Sequence, residues 1–418
     1  MRGNITEVRL WDTPIGYAHW DEKGQCARFQ YDPSFLKNGY DLSPVTMPLS
    51  GRSFMFDSLN RETYHGLPGL LADSLPDDYG NTLIDIWLSG NNIPKSEFTP
   101  LDRLCYIGKR GMGALEYRPA VKRTDTDGPI DIDMMSLLAA NVLRQRESIR
   151  ADLNDAGLQE LLSVGTSAGG ARAKATVGLN ESTGEVRSGQ LDLPKGYTYW
   201  MIKFDTETEK KKGYCRIEHA YYEMASDCGI RMTECRLLDT GSKAHFMTER
   251  FDRKGNEKVH MQTLCALAHY DLKVPGRHSY EEMAGVMRML HMQYDDIEQM
   301  FTRMVFNVIM RNQDDHTKNF SFLMDKKGRW RLSPAYDITY AYDPDNYWTN
   351  RHQMSVNGRL EGIGRDDIKK FAQNVGIKDP DDIIDMILST ASEWKGYAKL
   401  SGVPADTTEA VEKVLLKI

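Results

Sequence analysis

The run Asn312-Gln313-Asp314-Asp315-His316-Thr317-Lys318-Asn319 has no apolar residue, yet strongly apolar segments flank it on both sides. It collects carboxylates, an imidazole and carboxamides. A carboxylate can take a proton from a hydroxyl, and carboxylate or amide oxygens are the ligands that a hard cation such as magnesium accepts. Ahead of the run, Ile297, Met300, Phe301, Met304, Val305, Val308 and Ile309 recur at helical spacing and mark one apolar face. Behind it, Phe320-Ser321-Phe322-Leu323-Met324 turns at Asp325-Lys326-Lys327-Gly328 and returns through Trp330 and Leu332 to Ser333-Pro334-Ala335-Tyr336-Asp337. The stretch 296–337 therefore predicts a buried helix, a polar loop, a β-hairpin and a lone Asp beyond it. Holding these polar groups between core elements costs desolvation, which marks the loop as the first candidate for a site.

Other segments carry chemistry that such a loop could use. Residues 163–179 include Gly165, Gly169, Gly170 and Gly178 with Arg172 and Lys174. Glycine lets backbone N–H groups approach an anion, and the basic residues add charge. The segment does not fit G-x-x-x-x-G-K-[ST], and it leads into a strand-like stretch, not a helix. It reads either as a phosphate-covering loop between strands or as a surface turn. Residues 197–204 alternate as a strand, with Tyr199, Met201 and Lys203 on one face and Trp200, Ile202 and Phe204 on the other. Lys203 is thus aligned with large apolar side chains and calls for a partner or ligand, unless it is a surface lysine. Glu218 shares the apolar face of a helix over 218–228, stopped by Gly229, and is the candidate partner.

The remaining elements are read from local pattern. Short strands are expected over 5–11, 15–20, 27–31 and 45–49. A helix starts at Asp77 or Asp78, and Gly108, Gly111 and Gly113 end another helical piece in a turn. The Lys, Arg, Thr, Asp, Gly and Pro residues of 121–129 form the best linker. The helix expected over 131–150 carries Met134, Leu137, Leu138 and Val142 on its buried side. Asp379-Pro380-Asp381-Asp382 starts a helix running toward Leu400. The long polar segment 342–364, with Tyr347, Trp348, Arg351 and His352, is expected to be mobile or substrate-facing.

A chain of 418 residues is too long for one core, so two or three domains are expected. A net charge of −7 argues against a large autonomous nucleic-acid surface. The six cysteines are scattered without a C-x-x-C pair, as in reduced cytosolic proteins. No run reaches the roughly 18 apolar residues of a membrane span, and the N-terminus lacks an apolar leader. A cytoplasmic protein without a membrane partner is expected.

Asp314 to Asn319 has the D-x-x-x-x-N spacing of a kinase catalytic loop, and Asp337 comes after the hairpin as a kinase's second metal-binding Asp does. With these, Ser167-Ala168-Gly169-Gly170-Ala171-Arg172-Ala173-Lys174, Ile202-Lys203, Glu249-Arg250-Phe251-Asp252-Arg253 and Ser333-Pro334-Ala335-Tyr336-Asp337 occur in order. The chain resembles the HipA family of serine/threonine kinases, toxins of type II toxin–antitoxin modules, over nearly its whole length. The resemblance implies an α+β, two-lobed protein-kinase-like fold. In it, 1–125 is an added N-terminal β-rich subdomain, 126–250 a β-rich N-lobe and 251–418 a mostly helical C-lobe. Asp314 would be the catalytic base, and Asn319 and Asp337 would hold Mg2+. Lys203, Lys174, Ser167, Ala168, Gly169, Gly170 and His316 would contact ATP, with Glu249 and Phe251 at the adenine hinge. Ser167, or else Ser163, would be autophosphorylated, moving the loop and silencing the enzyme. Partners would be a protein substrate and a DNA-binding HipB-like antitoxin, through which operator DNA is mainly contacted. A catalytically inactive co-repressor scaffold and a small-molecule kinase are the rival readings. His316 stands where eukaryotic kinases have Lys, and Ile338 comes after Asp337 where they have Phe-Gly. Asp315 receives no role.

Overall fold

The computed structural model describes residues 5–121, 128–144, 156–165, 172–206, 212–241 and 243–418. The chain divides into two compact units: Met1–Ser43, Met47–Glu207 and Leu238–Met261 form the first, and Pro44–Thr46, Thr208–Leu237 and Gln262–Ile418 the second.

The first unit begins with strands β1 (Ile5–Leu10), β2 (Thr13–Asp21), β3 (Cys26–Tyr31), β4 (Ser53–Met55) and β5 (Leu115–Arg118), in the spatial order β4-β3-β2-β1-β5. Alternate residues face inward, Val8 and Leu10 from β1, Ala27, Phe29 and Tyr31 from β3. The strand expected over 45–49 is absent. Ser43 and Met47 make only an isolated bridge, because Pro44 and Pro48 lack the N–H donors of a ladder. The edge position beside β3 goes to β4 instead.

A second sheet in this unit is built from β6 (Lys174–Asn180), β7 (Val186–Ser188), β8 (Tyr197–Lys203), β9 (Cys235–Asp239) and β10 (Ala244–Glu249), ordered β7-β6-β8-β10-β9. Ala175, Val177, Trp200, Ile202 and Met247 pack with Leu83, Met135, Leu161 and Val164 from the helices Asp78–Gly90, Ile132–Arg144 and Ala156–Gly165. Burying each large apolar side chain contributes roughly 1.5–3 kcal/mol. The Ile132–Arg144 helix packs Leu138 and Val142 against the core as expected, but not Met134 and Leu137. Ile132, Met135, Ser136, Ala139 and Val142 are its buried stripe, while Met134 and Leu137 are about half exposed. Residues 163–165 do not begin the glycine-rich loop; they are the last turn of the Ala156–Gly165 helix. A Cβ at Gly165 would lie 2.5 Å from Leu83 Cδ1 and would have to push that side-chain end aside. Ser167, Ala168, Gly169 and Gly170 lie outside the described residues.

The second unit is built around the helix Tyr294–Ile309, which is buried nearly all round from Met300 onward. Its neighbours include the helices Tyr280–Met289, Arg365–Val375 and Pro380–Ser392. Phe301 stacks on Phe371, and Tyr221 of the helix Tyr214–Asp227 meets Phe306 edge-on. The expected hairpin is present as Ser321–Met324 paired with Trp330–Leu332. The single helix expected toward Leu400 is two, Pro380–Ser392 and Trp394–Leu400, broken where Trp394 turns into the core against Tyr221. Segment 342–364 is not a loose loop throughout. Tyr347 and Trp348 are exposed, but His352, Gln353, Met354 and Val356 are buried, and Met354–Ser355 pairs in parallel with His278–Ser279.

Candidate active site

The polar loop is held from both ends. The helix Tyr294–Ile309 closes at Met310, and Arg311 turns the chain through a left-handed conformation (φ 57°). Asn312 N–H then donates back to the Asn307 carbonyl at 2.9 Å, and Gln313 N–H donates to Ala341 at 3.1 Å. A 3₁₀ turn, Thr317–Asn319, closes the loop, and Leu264 N–H donates to the Phe320 carbonyl at the start of the hairpin.

Within this frame Asp314, His316 and Asn319 lie together. His316 Nε2 is 3.8 Å from Asp314 Oδ1. The Asn319 amide nitrogen donates to the Asp314 carbonyl at 2.8 Å. That bond leaves the Asn319 carboxamide oxygen as its remaining ligand atom, to which Asp337, the other expected ligand, would add a carboxylate. Two oxygen donors of this kind suit magnesium, which completes its shell with phosphate and water. Among the described residues no group of three or more His, Cys, Asp or Glu side chains is disposed to hold a metal. Asp337 adopts a left-handed backbone (φ 57°), a conformation that a non-glycine residue keeps only when its surroundings impose it.

Four contacts hold the chain that leads to it. Arg303 Nη2 donates to the Ser333 carbonyl at 2.6 Å, and Ala335 N–H donates to the Arg231 carbonyl at 2.7 Å. The Tyr336 hydroxyl donates to the Lys318 carbonyl at 2.6 Å and is also bonded to the Ser321 hydroxyl. Residues 318 and 336 each immediately precede one of the expected metal ligands. Arg303 is fully buried, and burial pulls its guanidinium down to about 9.

Asp315 is also anchored, at 1 % exposure. Its Oδ2 accepts from the Tyr280 hydroxyl at 2.8 Å and lies 2.9 Å from His352 Nδ1; its Oδ1 accepts from Gln353 N–H at 2.7 Å. Asn307 Nδ2 donates to the Tyr280 oxygen at 3.2 Å, and Asn312 Nδ2 donates to Asn307 Oδ1 at 2.9 Å. Sequence reasoning missed Tyr280, Arg303, Asn307, Tyr336 and His352. Arg303 and Asn307 did leave a signal: two polar residues four apart inside an apolar helix. His352 stands in the sequence only as part of a polar segment, with nothing to pair it with Asp315.

The basic candidates belong to the first unit. Lys174 and Lys203 stand directly opposite each other in the β6–β8 pair, and both are buried. Like charges in facing positions favour an anion beside them. Lys203 Nζ also lies 5.8 Å from the Phe246 ring centroid. Glu218 is buried on its helix in the second unit. Glu249 ends β10 opposite Trp200. The residues interleaved with Glu249 and Phe251 do something else. Asp252 is fully buried and accepts from Arg250 Nε at 2.9 Å, Arg250 Nη2 at 2.8 Å, Arg253 Nη1 at 2.7 Å and Gly113 N–H at 2.7 Å. Gly113 takes φ 71° there, with Met261 against its backbone. Burial raises the Asp252 carboxyl, but the two guanidiniums and the Gly113 N–H outweigh it and hold it well below the usual range. Burial beside Arg250 brings Arg253 down to about 10. No helix among the described residues is long and apolar enough to cross a membrane.

Comparison with known proteins finds two domain families along the sequence. The HipA N-terminal domain family matches residues 6–118, and the HipA-like C-terminal domain family matches 166–395. A Sinorhizobium fredii protein named "Putative kinase Y4mE" is 24% identical over 385 residues, covering 88% of this chain and 85% of that one. "Putative kinase Y4dM" of the same organism is 22% identical over 229 residues, 50% of this chain and 53% of that protein. The HipA of Shewanella oneidensis, solved with HipB and its operator DNA, superposes with a TM-score of 0.66 at 17% identity, covering 98% of this chain and 96% of that chain. The α+β, protein-kinase-like architecture expected from the motifs is the one found, and with both domain families matched in order this chain belongs to the HipA family.

Proposed function

We propose that this protein is an ATP- and magnesium-dependent serine/threonine-protein kinase that acts as a toxin and is restrained by a HipB-like antitoxin. The observation that carries the reading is the braced loop: Asn319 bonded to the Asp314 carbonyl, with Tyr336 linking that loop to the segment of Asp337. Asp314 accepts the proton of a substrate serine or threonine hydroxyl as its oxygen attacks the γ-phosphorus. The bond from that phosphorus to the bridging β,γ-oxygen breaks, and ADP leaves. Asn319 Oδ1 and the Asp337 carboxylate hold magnesium, which when bound offsets phosphate charge. Lys203 and Lys174 bind phosphate, His316 orients Asp314 near the nucleotide, and Glu249 and Phe251 frame the adenine. The division 1–125, 126–250 and 251–418 supplies the added subdomain, the N-lobe and the C-lobe of this reading.

Autophosphorylation is assigned to Ser167. Ser163, the alternative, is buried in a helix with its hydroxyl donating to the Glu160 carbonyl at 2.7 Å, which supports that choice. The solved Shewanella relative assembles with HipB and operator DNA. For this chain, a net charge of −7 favours DNA contact through such a partner in the cytoplasm. Incubation with γ-labelled ATP and magnesium, then mass mapping of phosphoserine, tests the reading. Wild type is expected to label Ser167 and Asp314→Asn to remain unlabelled while folded. Labelling retained in a folded Asp314→Asn protein removes the mechanism, and no labelling of wild type favours the co-repressor scaffold.

A further inference from the structure

Asp315 stands next to the residue assigned as the base, yet its carboxylate is buried and turned wholly to other partners. Three donors converge on it from two parts of the second unit: the Tyr280 hydroxyl, which opens the helix Tyr280–Met289, and His352 Nδ1 with Gln353 N–H, from the segment beyond the hairpin. A carboxylate oxygen facing His352 Nδ1 at 2.9 Å requires the proton on that nitrogen. His352 Nε2 is buried without a hydrogen-bond partner, so Asp315 is the contact that orients this ring. Tyr280 is tied in turn through Asn307 to Asn312, at the entrance of the loop. Asp315 is thus the knot where the helix side and the far side of the loop are joined.

We propose that Asp315, with Tyr280 and His352, is a positioning group: it sets the backbone of the loop so that Asp314 meets the substrate hydroxyl. The inference rests on the kinase reading, since it concerns what Asp314 needs. Misplacing a reacting group by about 1 Å costs on the order of 100-fold in rate. Lys174 and Lys203, the proposed phosphate contacts, lie on strands that Asp315 does not touch, so its loss falls chiefly on kcat and much less on nucleotide affinity.

The experiment uses the full chain with ATP and magnesium, measuring kcat, KM for ATP, binding of a fluorescent ATP analogue and thermal unfolding. Asp315→Asn is expected to lower kcat by about 100-fold with KM and analogue affinity changed less than about twofold. Tyr280→Phe, which removes one donor and keeps the ring packing, is expected to lower kcat by about tenfold. If Asp315→Asn fails to fold, Tyr280→Phe decides. Wild-type kcat in either folded variant, or a parallel fall of kcat and analogue affinity, overturns the inference and leaves the kinase reading standing. Absence of Asp314-dependent transfer in wild type overturns the kinase reading first.

Discussion

Two buried carboxylates in this chain, Asp252 and Asp315, are equally hidden from water and equally well hydrogen-bonded, but they are compensated in different ways. Asp252 faces two guanidiniums and one backbone N–H. Asp315 faces a phenol, an imidazole and a backbone N–H. In the first case charge balances charge, and the group ties residues 111–113 to 250–253 as a structural joint. In the second, directional bonds from a phenol, an imidazole and a backbone N–H fix geometry beside the proposed base. Burial of a carboxylate does not by itself announce chemistry. The nature of its partners separates a joint from a positioning group.

The largest expected effect breaks the joint. Asp252→Ala leaves Arg250 and Arg253 buried without their counter-charge, a loss of about 3–5 kcal/mol when one partner of a buried pair is removed. Urea unfolding of the variant is the measurement. A loss under about 1 kcal/mol, the ordinary worth of an exposed pair, would show that water reaches the guanidiniums and that the contrast with Asp315 is drawn too sharply.

Acid sharpens the same contrast. Burial, with the Lys243 charge adding to it, takes His245 down to about 4 against the opposing pull of Asp133 and Asp239; burial takes His260 and His269 to about 4 as well. Each of these rings is neutral when folded and takes a proton once unfolded. Their contribution is full above the unfolded value of about 6.5 and is lost as pH falls from there toward 4, by up to about 3 kcal/mol for a fully buried ring. Asp252 acts lower: its stabilisation is present above about 4 and fades below that. His245 Nδ1 accepts from Asp205 N–H at 2.9 Å, a role that Asn can imitate. Urea unfolding of His245→Asn at pH 7 and pH 5 is expected to show a smaller drop than wild type. An unchanged drop would mean that this ring already titrates as it does in water.

Much of this was legible in the sequence where a local pattern and burial agree. The helix-loop-hairpin of 296–337 was, because its apolar residues keep the period of each element and its loop has none. The face of Ile132–Arg144 was not, since apolar residues occupy both sides of that helix and periodicity alone favours Met134 and Leu137 over Met135 and Ala139. The site shows the same division. Asp314, Asn319 and Asp337 could be picked out by spacing, but their supports come from residues far along the chain. His352 looks like one more polar residue in a long loop, and its meeting with Asp315 depends on a fold that no spacing encodes. Arg250 and Asp252 alternate with Glu249 and Phe251, the residues expected at the adenine hinge, so their ion pair was hidden inside a motif read for another role.

The smallest of these effects concerns the phenol that joins the two expected metal ligands. Tyr336→Phe keeps the ring and removes the donor to the Lys318 carbonyl and the bond shared with the Ser321 hydroxyl. Losing these two neutral hydrogen bonds costs about 1–3 kcal/mol, too little to unfold the second unit. Its consequence should be local. Asn319 and Asp337 lie one residue beyond the two bonded segments, so slack in either widens the spread of their oxygens, and magnesium tolerates poor octahedral geometry badly. Manganese binding monitored by electron paramagnetic resonance is expected to weaken several-fold, with unfolding shifted only slightly. If metal affinity is unchanged while stability falls by about 1–3 kcal/mol, Tyr336 belongs with Asp252 as a structural joint and not with Asp315.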